Sequence, residues 1–419
     1  MLQRPCVSIC IFTYNRWQNL SRCLESIFSQ PEIDTGKVEV VVSDNASNDD
    51  TEGICRKYEA RYSCFKYYRH TETIPAGDNL VYALSYGSGE LLKLCKDTMF
   101  FLPGSLALFC HLAETYSENR PLIWLSNGDL SDGRQALNEG DDPSDFVQLT
   151  SYYMTDVAHF MVWKKYWRDL EHELLVNSGR DSGHIVKICE CLRDNPEWVI
   201  PHNKIYRLIY PLVKNVSYGL FHFFYQEFVS ILTKYKHQGI FSSEAVEKVR
   251  YDLLFSFFPF WLLAWKYCYP QYVFSQTEDL RGEVFDAYKN DRYFTEFFKK
   301  FSLLEDALPN EYTRLYNFCL SVEKVYLYGN GEGSYVVREY LEKKGCRIDG
   351  YIVSPGHKLS DEFCDVPVHD LDSFEGNGSF GIVVTVGEKL QKEILQELNK
   401  RGHQDHVFVQ RIFSLWSLV

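Results

Sequence analysis

The chain has no basic excess, since 44 Lys and Arg stand against 57 Asp and Glu for a formal charge of −13. That balance excludes nonspecific binding to nucleic acid, which needs a basic footprint. It leaves room for an anionic ligand in a local basic pocket. The 13 cysteines include no CxxC pair, and Cys189 and Cys191 stand too close for a zinc knuckle. An odd thiol count suits a reducing compartment, so a cytoplasmic setting is expected, with the inner face of the membrane as its variant. No run reaches the roughly 20 uninterrupted apolar residues of a spanning helix. Tyr251–Tyr269 is the most apolar stretch, yet Asp252, Pro259 and Lys266 interrupt it. It reads as a buried helical segment, with peripheral membrane contact the minor expectation. The run Val7–Phe12 is shorter than a signal-peptide core and passes straight into Asn15-Arg16, so no signal peptide is expected. Repeats of 20–50 residues and low-complexity linkers are also missing.

What is present suits a packed protein of about two to three domains, with 419 residues, 45% hydrophobic and 16% aromatic. Val7–Phe12, Val38–Ser43, Phe65–Arg69 and Leu91–Cys95 read as strands, with helices over Leu20–Gln30, up to Tyr62, and Gly77–Tyr86. Strands alternating with helices predict an α/β fold built on a mostly parallel sheet. Leu122–Ser126 and Asp156–Trp163 add two strands, and a helix follows Asp181. Residues 200–320 read as almost wholly helical, with aromatic residues at three- and four-residue spacing that mark a core face. Lys204, Arg207 and Lys214 lie there as solvated faces, or as a site for an anionic acceptor or membrane phosphates. A βα pattern restarts at Lys324–Tyr328. The expected division is 1–200 for the first α/β domain, 201–320 for a helical region, and 321–419 for a small Rossmann-like domain.

In an open parallel sheet the ligand crevice lies beyond the carboxyl ends of the strands. Thr13-Tyr14-Asn15-Arg16, Asp44–Asp50 and Lys96-Asp97 all fall at such ends. A carboxylate there, such as Asp44, can accept from a base imide N–H or a ribose hydroxyl. Thr13, Tyr14 and Asn15 can add hydrogen bonds and a stacking face. The plain alternative is that Asp44–Thr51 caps the next helix, and both roles can hold together.

Val7-Ser8-Ile9-Cys10-Ile11-Phe12-Thr13-Tyr14-Asn15-Arg16 followed by Val40-Val41-Val42-Ser43-Asp44-Asn45-Ala46-Ser47 resembles the opening of the family 2 glycosyltransferases. Gly89-Glu90-Leu91 and Leu102-Pro103-Gly104-Ser105-Leu106 resemble the segments flanking that family's metal-binding DxD motif. Asn215–Phe228 and the helices after it are more loosely similar to abequosyltransferase-like bacterial enzymes. The resemblance implies a GT-A fold and inverting transfer from a nucleotide-sugar donor, a UDP-sugar by default. It further implies a glycan or lipid-linked acceptor in a bacterial surface polysaccharide such as capsule or O-antigen. Donor-binding positions are then Thr13, Tyr14, Asn15, Arg16, Asp44, Asn45, Asn79, Lys96 and Asp97.

The sequence departs from the family where DxD is expected, because it reads Lys96-Asp97-Thr98-Met99. Asp97 is then the one hard-oxygen ligand for a magnesium or manganese ion, and methionine binds neither. A weakly held divalent cation is the preferred arrangement. The alternatives are that Lys96 supplies positive charge directly, or that the site only binds, as a noncatalytic nucleotide-sugar-binding or scaffold protein. The resemblance places the catalytic base at a helix start, where Gly179-Arg180-Asp181-Ser182-Gly183-His184 stands. Asp181 is the first candidate, with Asp156 in reserve and Arg180 and His184 available to orient phosphate or acceptor. His159 reads as an interior histidine. The turn with Gly329, Gly331 and Gly333 after a strand resembles, imperfectly, a dinucleotide or sugar-nucleotide fingerprint, with Asp349 about twenty residues on. Phosphate binding there and a purely structural role both stay open.

Overall fold

The structure is a computed structural model that describes residues 4–128, 130, 135–169, 182–209, 219–267, 279–358, 361–376 and 378–409. It divides into two compact units, Met1–Leu212 with His222–Leu253, and Val213–Phe221 with Leu254–Val419. The sequence boundaries at 200 and 320 cut elsewhere. Helix 243–252 belongs with the first unit because Ser242 N donates to Ser144 Oγ at 2.9 Å and Ser151 Oγ to Asp252 Oδ2 at 2.6 Å.

In the first unit, β1 (Val7–Thr13), α1 (Trp17–Phe28), β2 (Val38–Asp44), α2 (Thr51–Arg61), β3 (Phe65–Arg69), α3 (Ala76–Tyr86) and β4 (Leu91–Lys96) follow one another. After them come β5 (Met99–Phe101), α4 (Ser105–Thr115), β6 (Leu122–Trp124), β7 (Leu137–Gly140), α5 (Pro143–Thr150) and β8 (Phe160–Trp163). The α/β expectation is met. Eight strands run in the order β3-β2-β1-β4-β8-β6-β9-β7, where β9 is Trp198–Pro201. Pairs β2–β3, β1–β2, β1–β4 and β6–β9 are parallel, whereas β4–β8, β6–β8 and β7–β9 are antiparallel. Every residue of β2 is buried, as are all but Phe12 in β1. Continuous apolar runs of this kind are what a sheet covered on both faces requires.

Two polar residues interrupt those runs at the edge where β1 and β2 begin. Glu39 accepts Ser8 Oγ at 2.5 Å, Ser88 N at 2.7 Å and Ser88 Oγ at 2.8 Å, and pairs with Lys66. Gly89 beside it must be glycine, because a Cβ would sit 2.7 Å from Ser8 N.

Two expectations need correction. Asp156 does not lie on a strand, since β8 begins only at Phe160 and residues 151–159 form two tight 3-10 turns. The cause is local: Asp156 Oδ1 accepts Ala158 N at 2.9 Å and caps the second turn. Residues 200–320 are not wholly helical either. Besides the last two residues of β9, β10 (Tyr206–Leu208) is a strand, and it pairs antiparallel with β5.

The second unit holds helices Phe258–Tyr267, Leu280–Tyr288 and Phe294–Leu320. Phe285 meets Phe297 and Phe301 edge-on at 6.2 and 5.9 Å, so the aromatic spacing serves a core. Its sheet consists of β11 (Lys324–Tyr328), β12 (Gly350–Val353), β13 (Glu362–Phe363), β14 (Val366–Asp370), β15 (Phe380–Val384) and β16 (Val407–Val409). Their order is β13-β14-β12-β11-β15-β16, parallel except for β13. The strand order reverses at β11, which is where a doubly wound sheet opens its crevice.

Candidate functional site

The register of the first sheet sets Thr13 opposite Asp44 and Phe12 opposite Lys96, so three strand ends share one edge. The ends of β1 and β4 are tied by a hydrogen bond from Thr13 Oγ1 to Asp97 Oδ2 at 2.7 Å, and the β2 tip joins β1 through Asn45 N, which donates to the Thr13 carbonyl at 3.0 Å. Arg16 Nε lies 3.3 Å from the same oxygen. Asp97 is only 1% exposed. Burial raises its pKa above the ordinary carboxylate value, and Arg16 and the Thr13 hydroxyl only partly offset that.

The loops after β1 and β2 are knitted together. Asn15 adopts φ +51 and Ala46 φ +59, left-handed turns that reverse the chain at both tips. Asn15 N donates to Ser47 Oγ at 2.8 Å, and Asn15 Oδ1 accepts Asn48 N at 2.8 Å. Asp49 accepts Trp17 N at 3.1 Å and Thr51 N at 3.0 Å, which fastens the starts of α1 and α2 to one carboxylate. Tyr14 stands out at the rim, 42% exposed.

Asp44 is fully buried. Its Oδ1 accepts Ser47 N at 3.0 Å, while Oδ2 takes the Tyr67 hydroxyl at 2.7 Å and Arg69 Nε at 3.5 Å. Burial and this carboxylate push the Tyr67 hydroxyl well above its ordinary pKa. Asp44 therefore serves the turn, while Asp49 is the residue that meets the start of the next helix, and any ligand reaching Asp44 exchanges with Tyr67 or Arg69. Asn45 turns its amide to Ile74, donating to the carbonyl and accepting from the N–H, both at 2.8 Å. Asn79, in the first turn of α3, accepts Ser43 Oγ at 2.7 Å and donates to the Thr13 carbonyl at 3.4 Å. It pins the tips of β1 and β2 from beneath.

Lys96 Nζ meets Asp156 Oδ1 at 2.7 Å. Burial would raise the Asp156 pKa, but Lys96, His159 and the Ala158 amide overcome it and hold the carboxyl well below its usual range. A carboxylate so stabilised is a weak base. His159 is the interior histidine expected, its Nε2 3.1 Å from the Tyr206 hydroxyl, with burial lowering its pKa to about 4. Arg180 and Asp181 lie outside the described residues. His184 is not free to orient a ligand, because Nε2 bonds the Thr155 carbonyl at 2.8 Å.

Sequence reasoning missed Arg69, Tyr67 and Lys93. Arg69 ends β3 at the same edge, so the rule that singled out the other tips could have found it. Lys93 is wholly buried on β4 and donates to the carbonyls of Leu94, at 2.9 Å, and Ala158. Burial lowers its pKa. A lysine inside an apolar strand carried no signal of a partner 65 residues away.

The residues present do not fit the divalent cation that the resemblance implies. Asp97 is buried and its Oδ2 is already taken by Thr13 and Arg16. A metal bound there would stand against the Arg16 guanidinium, and like unit charges 4 Å apart repel by about 4 kcal/mol near a protein surface. Among the described residues no group of three or more His, Cys, Asp or Glu could hold a metal ion.

In the second unit, Gly329 has φ +106 and a Cβ there would meet Val386 at 3.0 Å, so this position demands glycine. Gly331 is extended at φ −110, and Gly333 falls inside helix Glu332–Lys343. The hydroxyls of Ser334 and Thr385 meet at 2.6 Å and donate to the carbonyls of Gly329 and Tyr328. Asp349 precedes β12, at the edge opposite the glycine turn, and accepts Val325 N at 2.9 Å. The residue twenty positions on thus belongs to strand pairing and not to a ribose site.

Residues 8–107 match the family described as glycosyl transferase family 2. That span runs from β1 to the first turn of α4 and contains Thr13, Arg16, Asp44, Lys96 and Asp97, so the chain carries a domain of this family. The abequosyltransferase RfbV of Salmonella typhimurium is 28% identical over 120 residues, 28% of this chain and 34% of that protein. The chain therefore matches about a third of the length of that curated relative. Among solved structures, S. aureus TarS has a TM-score of 0.43 at 16% identity, covering 61% of this chain and 45% of that one. The mannosyltransferase PcManGT from Pyrobaculum calidifontis, in complex with GDP-Man and Mn2+, also has a TM-score of 0.43 at 16% identity, covering 73% and 81%. Likeness at this level carries no weight beyond the topology already described.

Proposed function

We infer that the first unit transfers a glycosyl group from a nucleotide-sugar donor to an acceptor hydroxyl. The observation that carries this reading is the 2.7 Å bond between Thr13 and Asp97. It gathers the strand tips of the family-matching segment at the edge where open α/β sheets bind ligands. In this reading Tyr14 offers a stacking face, Asp44 with Tyr67 fixes the base and ribose end, and Arg16 and Lys96 face the diphosphate. Asn15, Asn45 and Asn79 hold the loops that shape the pocket.

The reaction is a single in-line displacement with inversion. The acceptor oxygen bonds to the anomeric carbon as the bond from that carbon to the diphosphate oxygen breaks. The electron pair leaves with the nucleoside diphosphate and the acceptor proton passes to a carboxylate. We assign that carboxylate to Asp181, which stands where the family resemblance places the base, because Lys96 makes Asp156 too weak a base. A UDP-sugar is the default donor. The acceptor is a glycan or lipid-linked saccharide of a bacterial surface polysaccharide, capsule or O-antigen, handled at the cytoplasmic side. The likeness to a protein named abequosyltransferase supports that setting. No described helix is long and apolar enough to cross a membrane.

One observation favours a second reading, a noncatalytic nucleotide-sugar-binding or scaffold protein: Asp97 is buried and already partnered. Incubating the full chain with UDP-, dTDP-, GDP- and CDP-sugars and measuring nucleoside diphosphate release separates the two. Release from one donor class supports transfer. Binding without release from any donor, with lipid-linked saccharides supplied, selects the second reading.

A further inference from the structure

The strand tips carry two cations where the family resemblance implies a metal. We propose that Arg16 and Lys96 replace the divalent cation, so that a nucleoside diphosphate is held here by direct ionic hydrogen bonds without a metal bridge. This rests on the donor-site reading above. Arg16 follows β1 and Lys96 ends β4, adjacent strands in which Phe12 and Lys96 are register partners. The Arg16 and Lys96 side chains are 35% and 33% exposed, so each keeps its charged head at the boundary with solvent.

Their acidic partners differ in depth, and the difference assigns the roles. Asp97 lies beneath Arg16 at 1% exposure, while Asp156 shares the rim with Lys96 at 37%. Asp97 is thus a positioning residue, fixing the guanidinium from below with the Thr13 hydroxyl orienting its carboxylate. Asp156 is the anion that an arriving phosphate displaces from Lys96. Two single positive charges match the formal charge of one divalent ion. A guanidinium also offers a planar fork of N–H donors that suits phosphate oxygens, with the lysine adding a compact charge. When the bond to the anomeric carbon breaks, the electron pair settles on a phosphate oxygen facing both cations. The acceptor proton goes to the base already assigned.

The test is calorimetric titration of the full chain with UDP, GDP, dTDP and CDP, in excess EDTA and again in saturating magnesium or manganese. For the nucleotide that binds best, the expected Kd differs by less than about threefold between the two conditions. Arg16→Ala and Lys96→Ala each weaken that nucleotide by about tenfold or more, while the corresponding nucleoside binds as before. Arg16→Lys, which keeps the charge and guards against misfolding, recovers part of the loss. Asp97→Asn discriminates most sharply. It changes diphosphate affinity equally in EDTA and in saturating magnesium if the carboxylate only positions Arg16, and weakens binding in magnesium alone if the carboxylate binds metal. Diphosphate binding that is lost in EDTA and indifferent to Arg16→Ala overturns the proposal while leaving the donor site standing. Failure of every nucleotide and nucleoside to bind in either condition overturns both.

Discussion

Replacing Thr13 by valine keeps the shape of the side chain and removes one atom's function, the hydroxyl that donates to Asp97 at 2.7 Å. Thr13 and Asp97 are each 1% exposed, so water does not readily substitute for the lost donor. A hydrogen bond to a charged group contributes about 1.5–3 kcal/mol, against about 1 for a neutral pair. Thr13→Val should therefore destabilise the first unit by about 2 kcal/mol at neutral pH. For a domain of this size that lowers Tm by roughly 4–8 °C. The Asp97 pKa, already raised by burial, rises further in the variant. The deficit thus shrinks as pH falls and Asp97 takes up its proton. The assay is urea unfolding of wild type, Thr13→Val, Asp97→Asn and the double variant. Neutralising Asp97 should leave the threonine contributing only about 1 kcal/mol, giving a coupling of about 1 kcal/mol between the sites. A single-variant loss under about 0.5 kcal/mol, or full additivity, would refute the account of the strand tips as joined through this bond.

Asp156→Asn should flatten the acid arm of the stability curve. The folded carboxyl titrates below its unfolded value, so its stabilisation is present above the unfolded pKa and fades as pH falls through the folded one. Acid titration followed by circular dichroism checks this, and an unchanged acid midpoint contradicts it. Tyr67→Phe removes the hydroxyl from the buried Asp44 carboxylate and should cost about 1.5–3 kcal/mol in urea unfolding. Because burial and Asp44 hold the Tyr67 hydroxyl well above the ordinary value, spectrophotometric titration should count the same number of tyrosines ionising near that value in wild type and variant. Asp44→Ala should weaken nucleotide binding, read by calorimetry, whereas Asp181→Ala should lower turnover and spare that binding. Full activity in Asp181→Ala would move the base elsewhere.

The first half of the fold was legible because β1, β2 and β4 are buried on both faces and so are written as largely apolar runs, interrupted only by Ser8, Glu39 and Lys93 before their polar tips. Their carboxyl ends follow from the parallel pattern, which is why the sequence alone groups Thr13, Asp44 and Lys96. Strands of three or four residues, such as β5, β7 and β10, carry too few positions for a period to show, and β10 finds β5 across about a hundred residues. Asp156 reads as strand because Phe160–Trp163 is apolar and the turn before it depends on a side-chain cap, a contact that hydropathy does not encode. The partners of Asn45 and Asn79 were equally hidden. Polar residues at a tip look alike in sequence whether they face a ligand or, like Asn45 with Ile74, grip the backbone of another loop. At the glycine-rich turn only Gly329 has the backbone angle that the letter suggests, since Gly333 is already helical.

The anchoring of Glu39 by Ser8, Ser88 and Lys66 sits at the rim of the sheet farthest along its strands from Thr13 and Asp44. The same strands are therefore fastened at both ends, through Glu39 at one and through Asp97 and Asp44 at the other. Loosening that rim, for instance with Ser8→Ala, should lower the melting temperature without altering which nucleotide is chosen, while changes at the tips should alter nucleotide binding as well as stability.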